Sequence, residues 1–291
     1  MSNNLSMKKD KRRIIIFVAL TYGCSYMCWY LAYVLRHEIF NLDISLHLTT
    51  LGNFMPSILG IIFILHETKK VRIDLNVIKN AFCSPIGVYL LAFFLMPMLV
   101  YFAYWIGYQF NLVYFESILV PIIYPKIWPI LLLIPFFIVF QGPLGEEFGW
   151  RQYLLTRLLR SQRVLDSSLI VGLIWSGWHL PKFFIENTIQ HELVTAHGII
   201  ATVMGYTFYT ICLSILMTVL YLLANKRVLI VLIFHAMANF AHGLVMILTQ
   251  TWGALLILVF VVLATGLIWN YQKSKVFNLL DTTDNNSISI K

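Results

Sequence analysis

The chain has 291 residues, of which 59% are hydrophobic and only 12% are charged. A soluble domain of this size could not bury so much apolar surface, and it would need more charged residues to cover its outside. The composition therefore excludes a soluble globular protein. The net charge of +8 is accounted for by membrane orientation and contact with anionic lipid, and we expect no nucleic-acid partner.

The apolar runs along the chain predict an all-α, polytopic membrane protein with about eight transmembrane helices, since open sheets are excluded from hydrocarbon. A basic head over residues 1–13 precedes the first run, which is long enough for a retained span and too long for a signal peptide. One transmembrane domain is expected over residues 14–271, followed by a polar tail over 272–291 that should be disordered. The runs cover residues 14–35, 49–66, 86–108, 127–141, 168–185, 199–223, 228–247 and 252–271.

The basic residues predict how these spans are oriented. With a cytoplasmic N-terminus and eight spans, 18 of the 21 lysines and arginines fall in inner segments. The outer segments hold only Arg36, Lys126 and Lys182. This asymmetry follows the positive-inside rule, so both termini are expected in the cytoplasm. The Asn, Lys and Ile content favours a bacterial plasma membrane.

A charged segment directly follows the fourth apolar run. Pro143 suits the first turn of a helix, which places the next two acidic residues, Glu146 and Glu147, near a helix start that favours anions. Glu147 and Arg151 share a helix face and can pair, whereas Glu146 is rotated away by about 100°. Glu146 is then available to face a cavity as a base. The simpler alternative is an interfacial charge cluster at the end of a span.

Two later runs carry polar residues at a matching depth. Trp175 and His179 lie in one run, and His235 and Asn239 lie four residues apart on one helix face in another. With a rise of about 1.5 Å per residue, His235 is roughly 10 Å and His179 roughly 16 Å from the cytoplasmic end. They can meet the glutamates if the bundle packs these segments together. For His242 we expect an ordinary hydrogen bond between helices.

Three motifs therefore stand in order: Glu146-Glu147-x-x-x-Arg151, Trp175-x-x-x-His179 and His235-x-x-x-Asn239. This set resembles the motifs of the CPBP intramembrane proteases, which include the type II CAAX prenyl endopeptidases and bacterial Abi proteins linked to bacteriocin processing and immunity. The motif core spans residues 143–240. One departure is Trp175, where the family usually has phenylalanine, although tryptophan still supplies an aromatic wall.

The resemblance implies hydrolysis of a peptide bond in a membrane-associated or lipidated peptide, at a site that opens to the cytoplasm. Glu146 would activate the attacking water, and His179 would orient or polarise it. His235 and Asn239 would donate hydrogen bonds to the developing oxyanion. The supporting residues would be Glu147, Arg151 and Trp175.

No cofactor is expected, although Glu146, His179 and His235 are the residues that would hold a divalent metal if one is used. The His-Glu-x-x-His spacing of zinc peptidases is absent, so metal-independent chemistry is favoured. The cysteines show no paired spacing and are expected to be small apolar fillers. They are Cys24, Cys28, Cys83 and Cys212.

Two other classes of function are left open by the residues. A transporter would also line its path with intramembrane Glu, His and Asn side chains. A noncatalytic bacteriocin-immunity or binding protein would keep the same fold without turnover. The expected partners are membrane lipid and a peptide or lipidated protein substrate, with no prediction for the oligomeric state.

Overall fold

The computed structural model describes residues 2–37, 42–68, 84–120, 135–138, 142–186 and 188–288. Within these ranges every regular element is a helix and no strand occurs, which confirms the predicted all-α class. Helices satisfy their backbone hydrogen bonds within the segment, as a chain this apolar requires in hydrocarbon.

The helices form three groups along the chain. Three long helices come first: α1 (Ser2–His37), α2 (Leu42–Thr68) and α3 (Ile86–Gln109). A middle group of short, irregular elements follows: α4 (Pro143–Glu147), a π-helix (Phe148–Leu155), α5 (Thr156–Leu158), α6 (Val164–Trp178), a 3-10 helix (Leu180–Phe184) and α7 (Ile189–His197). The last group is α8 (Ile199–Leu223), α9 (Val228–Leu244) and α10 (Thr251–Ile288).

Five of the described helices are long and apolar enough to cross a membrane, and a sixth span results if the bent pair of α6 and α7 is one span. The five segments are Lys9–Leu35, Ile44–Glu67, Ile86–Gln109, Ile199–Leu223 and Thr251–Ser274. The apolar helix α9 has only 17 residues. Most of the predicted run over 127–141 lies outside the described residues. The protein is therefore a helical membrane protein, and the described spans alone do not reach the predicted eight.

Both chain ends continue the helices next to them. Helix α1 begins at Ser2, so the basic head predicted over 1–13 is largely part of the first helix. Helix α10 extends to Ile288, into the tail for which the sequence predicts disorder.

The central irregular segment is held close to α2 by small residues. A Cβ atom added at Gly149 would lie 2.3 Å from the carbonyl oxygen of Pro56, and one added at Gly60 would lie 2.8 Å from the Cα of Gly149. Glycine at these positions lets the two backbones approach, as small residues commonly do between membrane helices. This contact fixes the π-helix, and with it α4, against the first helical pair.

Ion pairs join three segments at one end of the bundle. Glu67, at the end of α2, pairs with Arg13 of α1 at 3.4 Å and with Arg157 of α5. Asp10 of α1 pairs with Arg160 just after α5 at 3.2 Å. The start of α1, the end of α2 and the segment after the π-helix therefore meet. These are three of the regions that the charge pattern assigns to the same side of the membrane.

We expect Gly149→Ala to lower the free energy of unfolding by about 1–3 kcal/mol, because the added methyl group would overlap the Pro56 carbonyl. Gly23→Ala is the matched control, since nothing lies within 4 Å of its added Cβ. Thermal unfolding of both variants in detergent, followed by circular dichroism, measures the difference. Equal melting temperatures for the two variants would show that the close contact is not needed.

Candidate active site

The two adjacent glutamates lie at the start of the central irregular segment. Gly142 precedes α4 with a φ of +106°, a backbone conformation that favours glycine, and Pro143 occupies the first turn as the sequence predicts. The glutamates complete this single turn and are buried, with Glu146 4% and Glu147 0% exposed. Such burial argues against an exposed interfacial charge cluster, because the carboxylates face protein and not the headgroup region.

Glu147 is bound through both of its carboxylate oxygens. Arg151 donates from Nε to Oε2 at 2.9 Å, which confirms the predicted pair, and His235 contacts Oε1 from Nδ1 at 2.8 Å. Arg151 is 0% exposed and also donates to the hydroxyl of Ser214 at 3.0 Å. Glu147 therefore anchors a buried network that joins the π-helix to α8 and α9.

Glu146 has a different environment from its neighbour. Its Oε2 accepts a hydrogen bond from the indole Nε1 of Trp175. Its Oε1 lies beside the Cα of Gly142, where an added Cβ would approach it to 2.6 Å. Because Gly142 has no side chain, this carboxylate oxygen can lie directly against the Gly142 backbone.

His179 ends helix α6 and turns its ring into the site. Its Nδ1 lies 2.9 Å from the carbonyl oxygen of Trp175. Because a carbonyl oxygen can only accept, Nδ1 must carry the proton, and the neutral ring then presents Nε2 as an acceptor. The ring is 5% exposed and lies between the rings of Trp178 and Tyr206, at centroid distances of 4.8 and 5.4 Å.

Trp175 lies at the centre of the predicted site residues. Its ring is 5.2 Å from the ring of His235 and 6.1 Å from that of His179, and the guanidinium of Arg151 lies 5.3 Å from its centroid. The structure therefore brings together Glu146, Glu147, Arg151, Trp175, His179 and His235. Helix α9 carries Asn239 one turn after His235, where it is half-buried and takes part in interactions of its own.

Lys182 is a charged neighbour of the site that the motifs did not single out. Its Nζ lies 4.9 Å from the ring centroid of Trp29 and 5.3 Å from that of Trp178, and its backbone nitrogen donates to the carbonyl of His179. The distribution of charged residues assigns Lys182 to an outer loop. In the sequence, only its position three residues after His179 indicates that it lies near the site.

His242 forms the hydrogen bond between helices that the sequence predicts. Its Nε2 lies 2.7 Å from the hydroxyl of Tyr209 on α8. The cysteines in the described ranges, Cys24, Cys28 and Cys212, are free thiols, and Cys83 lies outside those ranges.

No group of three or more His, Cys, Asp or Glu side chains in the described part of the chain is arranged to hold a metal ion. Glu146, His179 and His235, the residues predicted to hold a metal if one is used, each contact Trp175. The use of a metal ion stays a prediction.

Residues 126–241 match the family model of type II CAAX prenyl endopeptidase Rce1-like proteins. The resemblance to the CAAX prenyl endopeptidases is confirmed. The matched segment includes the predicted motif core, 143–240, and so all three motifs. A curated relative, the CAAX prenyl protease 2 of Methanococcus maripaludis, is 28% identical over 117 residues, which cover 40% of this chain and 42% of the relative.

The similarity to the CAAX prenyl endopeptidases thus covers less than half of the relative's length. The family model covers the segment that contributes α4, the π-helix, α6 and most of α9 to the site. Helix α2 packs against α4 and the π-helix, and Phe17 of α1 contacts Trp150 and Tyr153 of the π-helix.

We expect Glu147→Gln to destabilise the protein by about 3–5 kcal/mol, because it leaves the buried Arg151 guanidinium without its counter-charge. The control is Asp166→Asn, which breaks the exposed pair of Arg163 and Asp166 and should not change stability measurably. Thermal unfolding in detergent compares the two. A Glu147→Gln protein that melts with the wild type would contradict the anchoring role of this carboxylate.

Proposed function

We propose that this chain is an intramembrane endopeptidase in which Glu146 activates the water that attacks a peptide carbonyl. The observation that carries the proposal is the unlike environment of two adjacent carboxylates. Both oxygens of Glu147 are bound, by Arg151 and His235, whereas Glu146 has one oxygen on an indole N–H and the other against the backbone of Gly142, where no side chain covers it. Paired titratable groups in contrasting environments are typical of a division between a structural and a reacting acid.

The reaction would proceed by general base and then general acid catalysis. Glu146 Oε1 removes a proton from water, and the water oxygen forms a bond to the carbonyl carbon to give a tetrahedral oxyanion. When the C–N bond breaks, the protonated Glu146 gives its proton to the leaving amine. The carboxylate is regenerated, and the products are a carboxylic acid and an amine.

His179 is suited to hold the attacking water. With its proton on Nδ1, which faces the carbonyl of Trp175, the neutral ring has an acceptor at Nε2. A water that donates one hydrogen bond to Nε2 and another to Glu146 would have its oxygen lone pair directed away from both. We propose that His179 orients the nucleophile in this way.

His235 would stabilise the oxyanion together with Asn239. Nδ1 of His235 contacts Glu147 at 2.8 Å, so the ring edge that carries Nε2 is directed away from that carboxylate. The supporting residue thereby fixes the orientation of the proposed oxyanion donor. Asn239 adds an amide donor from the next turn of α9.

Metal-independent chemistry accompanies this proposal, because the base, the residue that orients water and the oxyanion donors are all side chains of the chain. The name of the archaeal relative suggests a prenylated CAAX peptide as the first substrate to test. We further propose eight spans, cytoplasmic termini and a site open to the cytoplasm of a bacterial plasma membrane. Lipid and a lipidated or membrane-associated peptide are the proposed partners.

Glu146→Gln should lower peptide cleavage by at least about 100-fold, since general base catalysis is lost, while folding is retained because glutamine still accepts from Trp175. The measurement is cleavage of a prenylated CAAX peptide by the purified protein in detergent. A proteomic comparison of membranes that carry wild type or Glu146→Gln extends the test to unknown substrates.

If both folded proteins give the same peptides in both assays, the endopeptidase proposal fails. Ion flux in proteoliposomes that is lost with Glu146→Gln would then favour a transporter. Equal behaviour in every assay would favour a noncatalytic binding or immunity protein.

Gly142→Ala should abolish most cleavage, because its Cβ would lie 2.6 Å from Oε1 of Glu146 and fill the space proposed for water. Gly198→Ala is the matched control, since Gly198 also has a positive φ, of +77°, but nothing lies within 4 Å of its added Cβ. Both substitutions strain the backbone, by about 1–2 kcal/mol. Cleavage rates normalised to the folded fraction separate the two effects, and equal activity in both variants would contradict a water site beside Gly142.

A further inference from the structure

The hydrogen bond from Trp175 to Glu146 is a feature that the motif pattern does not contain. The family that the chain resembles usually has phenylalanine at this position, and a phenyl ring has no donor. In this chain the indole Nε1 donates to Oε2 of the carboxylate proposed as the base. The ring is 4% exposed, so solvent does not compete strongly for this bond.

The hydrogen bond leaves the two oxygens of Glu146 with separate tasks. Oε2 is held by the indole, whereas Oε1 makes no hydrogen bond among the described residues and lies against the backbone of Gly142. A carboxylate held at one oxygen has little freedom to rotate, because rotation would break the bond to the indole. The direction of its second oxygen is then fixed as well.

We propose that the indole N–H of Trp175 is a positioning group for Glu146, which holds Oε2 and directs Oε1 toward the attacking water. The inference rests on the proposed function of Glu146, and it deepens that function. In this proposal Trp175 acts through the hydrogen bond of its Nε1 and not only through the packing of its ring.

Packing is the competing explanation for a buried tryptophan at this point. The ring touches His235 edge to face and lies under the guanidinium of Arg151. A phenyl ring can keep much of both contacts, but it cannot donate to Glu146. A substitution that keeps the ring system and removes only the N–H therefore separates positioning from packing.

The test uses the full-length protein in detergent with two variants at position 175. The first is Trp175→Phe. The second carries 3-benzothienylalanine, a tryptophan isostere in which sulfur replaces the N–H. The control is Trp150→Phe, because Trp150 is also fully buried but its Nε1 has no hydrogen-bond partner among the described residues. Thermal unfolding verifies that each variant folds.

We expect both variants at position 175 to lower kcat for peptide cleavage by about ten- to a hundredfold, the effect of one hydrogen bond to a charged group. KM should not change, because the N–H acts on the base and not on the bound peptide. Trp150→Phe should keep kcat near that of wild type. If the benzothienyl isostere retains wild-type kcat while Trp175→Phe does not, the role is packing and the proposal is overturned.

A measurement independent of turnover separates this inference from the proposed function. Ultraviolet resonance Raman bands of tryptophan report hydrogen bonding of the indole N–H. Glu146→Ala should change the signal of one tryptophan in the wild-type background and none in Trp175→Phe. An unchanged spectrum in the wild-type background would overturn the positioning role. If the contact is observed but wild type cleaves no peptide, the catalytic proposal has failed and the positioning role fails with it.

Discussion

The buried carboxylate of Glu147 is the interaction on which the rest of the site depends. It joins Arg151 on the π-helix to His235 on α9, two residues 84 positions apart in the chain. A charge at this depth is tolerated only when it is paired and hydrogen-bonded, and removal of one partner exposes the full cost of burying the other. The pairing therefore sets the distance between the segment with the glutamates and the helix with the proposed oxyanion donors.

The irregular backbone around the glutamates is equally important. A glycine with positive φ, a single helical turn and an eight-residue π-helix follow one another between Gly142 and Leu155. Irregular backbone and π-helices are often found at functional sites, where a regular helix would present the wrong side chains. The close approach of Gly149 to Pro56 holds this segment against α2, so the departure from regular helix is supported by packing.

Trp175 contacts the proposed base, the histidine proposed to hold water and the histidine proposed to stabilise the oxyanion. Its N–H reaches Glu146, its carbonyl oxygen receives His179, and its ring meets His235. One residue thus influences the orientation of the base, the tautomer of the histidine proposed to hold water and the packing of the proposed oxyanion donor. The separation of Glu146 from Glu147 follows from these contacts, because the indole serves one carboxylate while Arg151 and His235 serve the other.

The sequence by itself determined the helical membrane class, the turn at Pro143, the pairing of Glu147 with Arg151 and six of the residues that lie together at the candidate site. These features depend on composition, on helical spacing and on the order of the motifs, all of which can be read directly from the sequence. Only the tertiary structure decided that His235 binds Glu147, that Trp175 donates to Glu146 and that Lys182 lies against two tryptophans. Those contacts depend on how α6 and α9 are rotated about their axes against the π-helix, and helical spacing within one segment carries no information about the rotation of another.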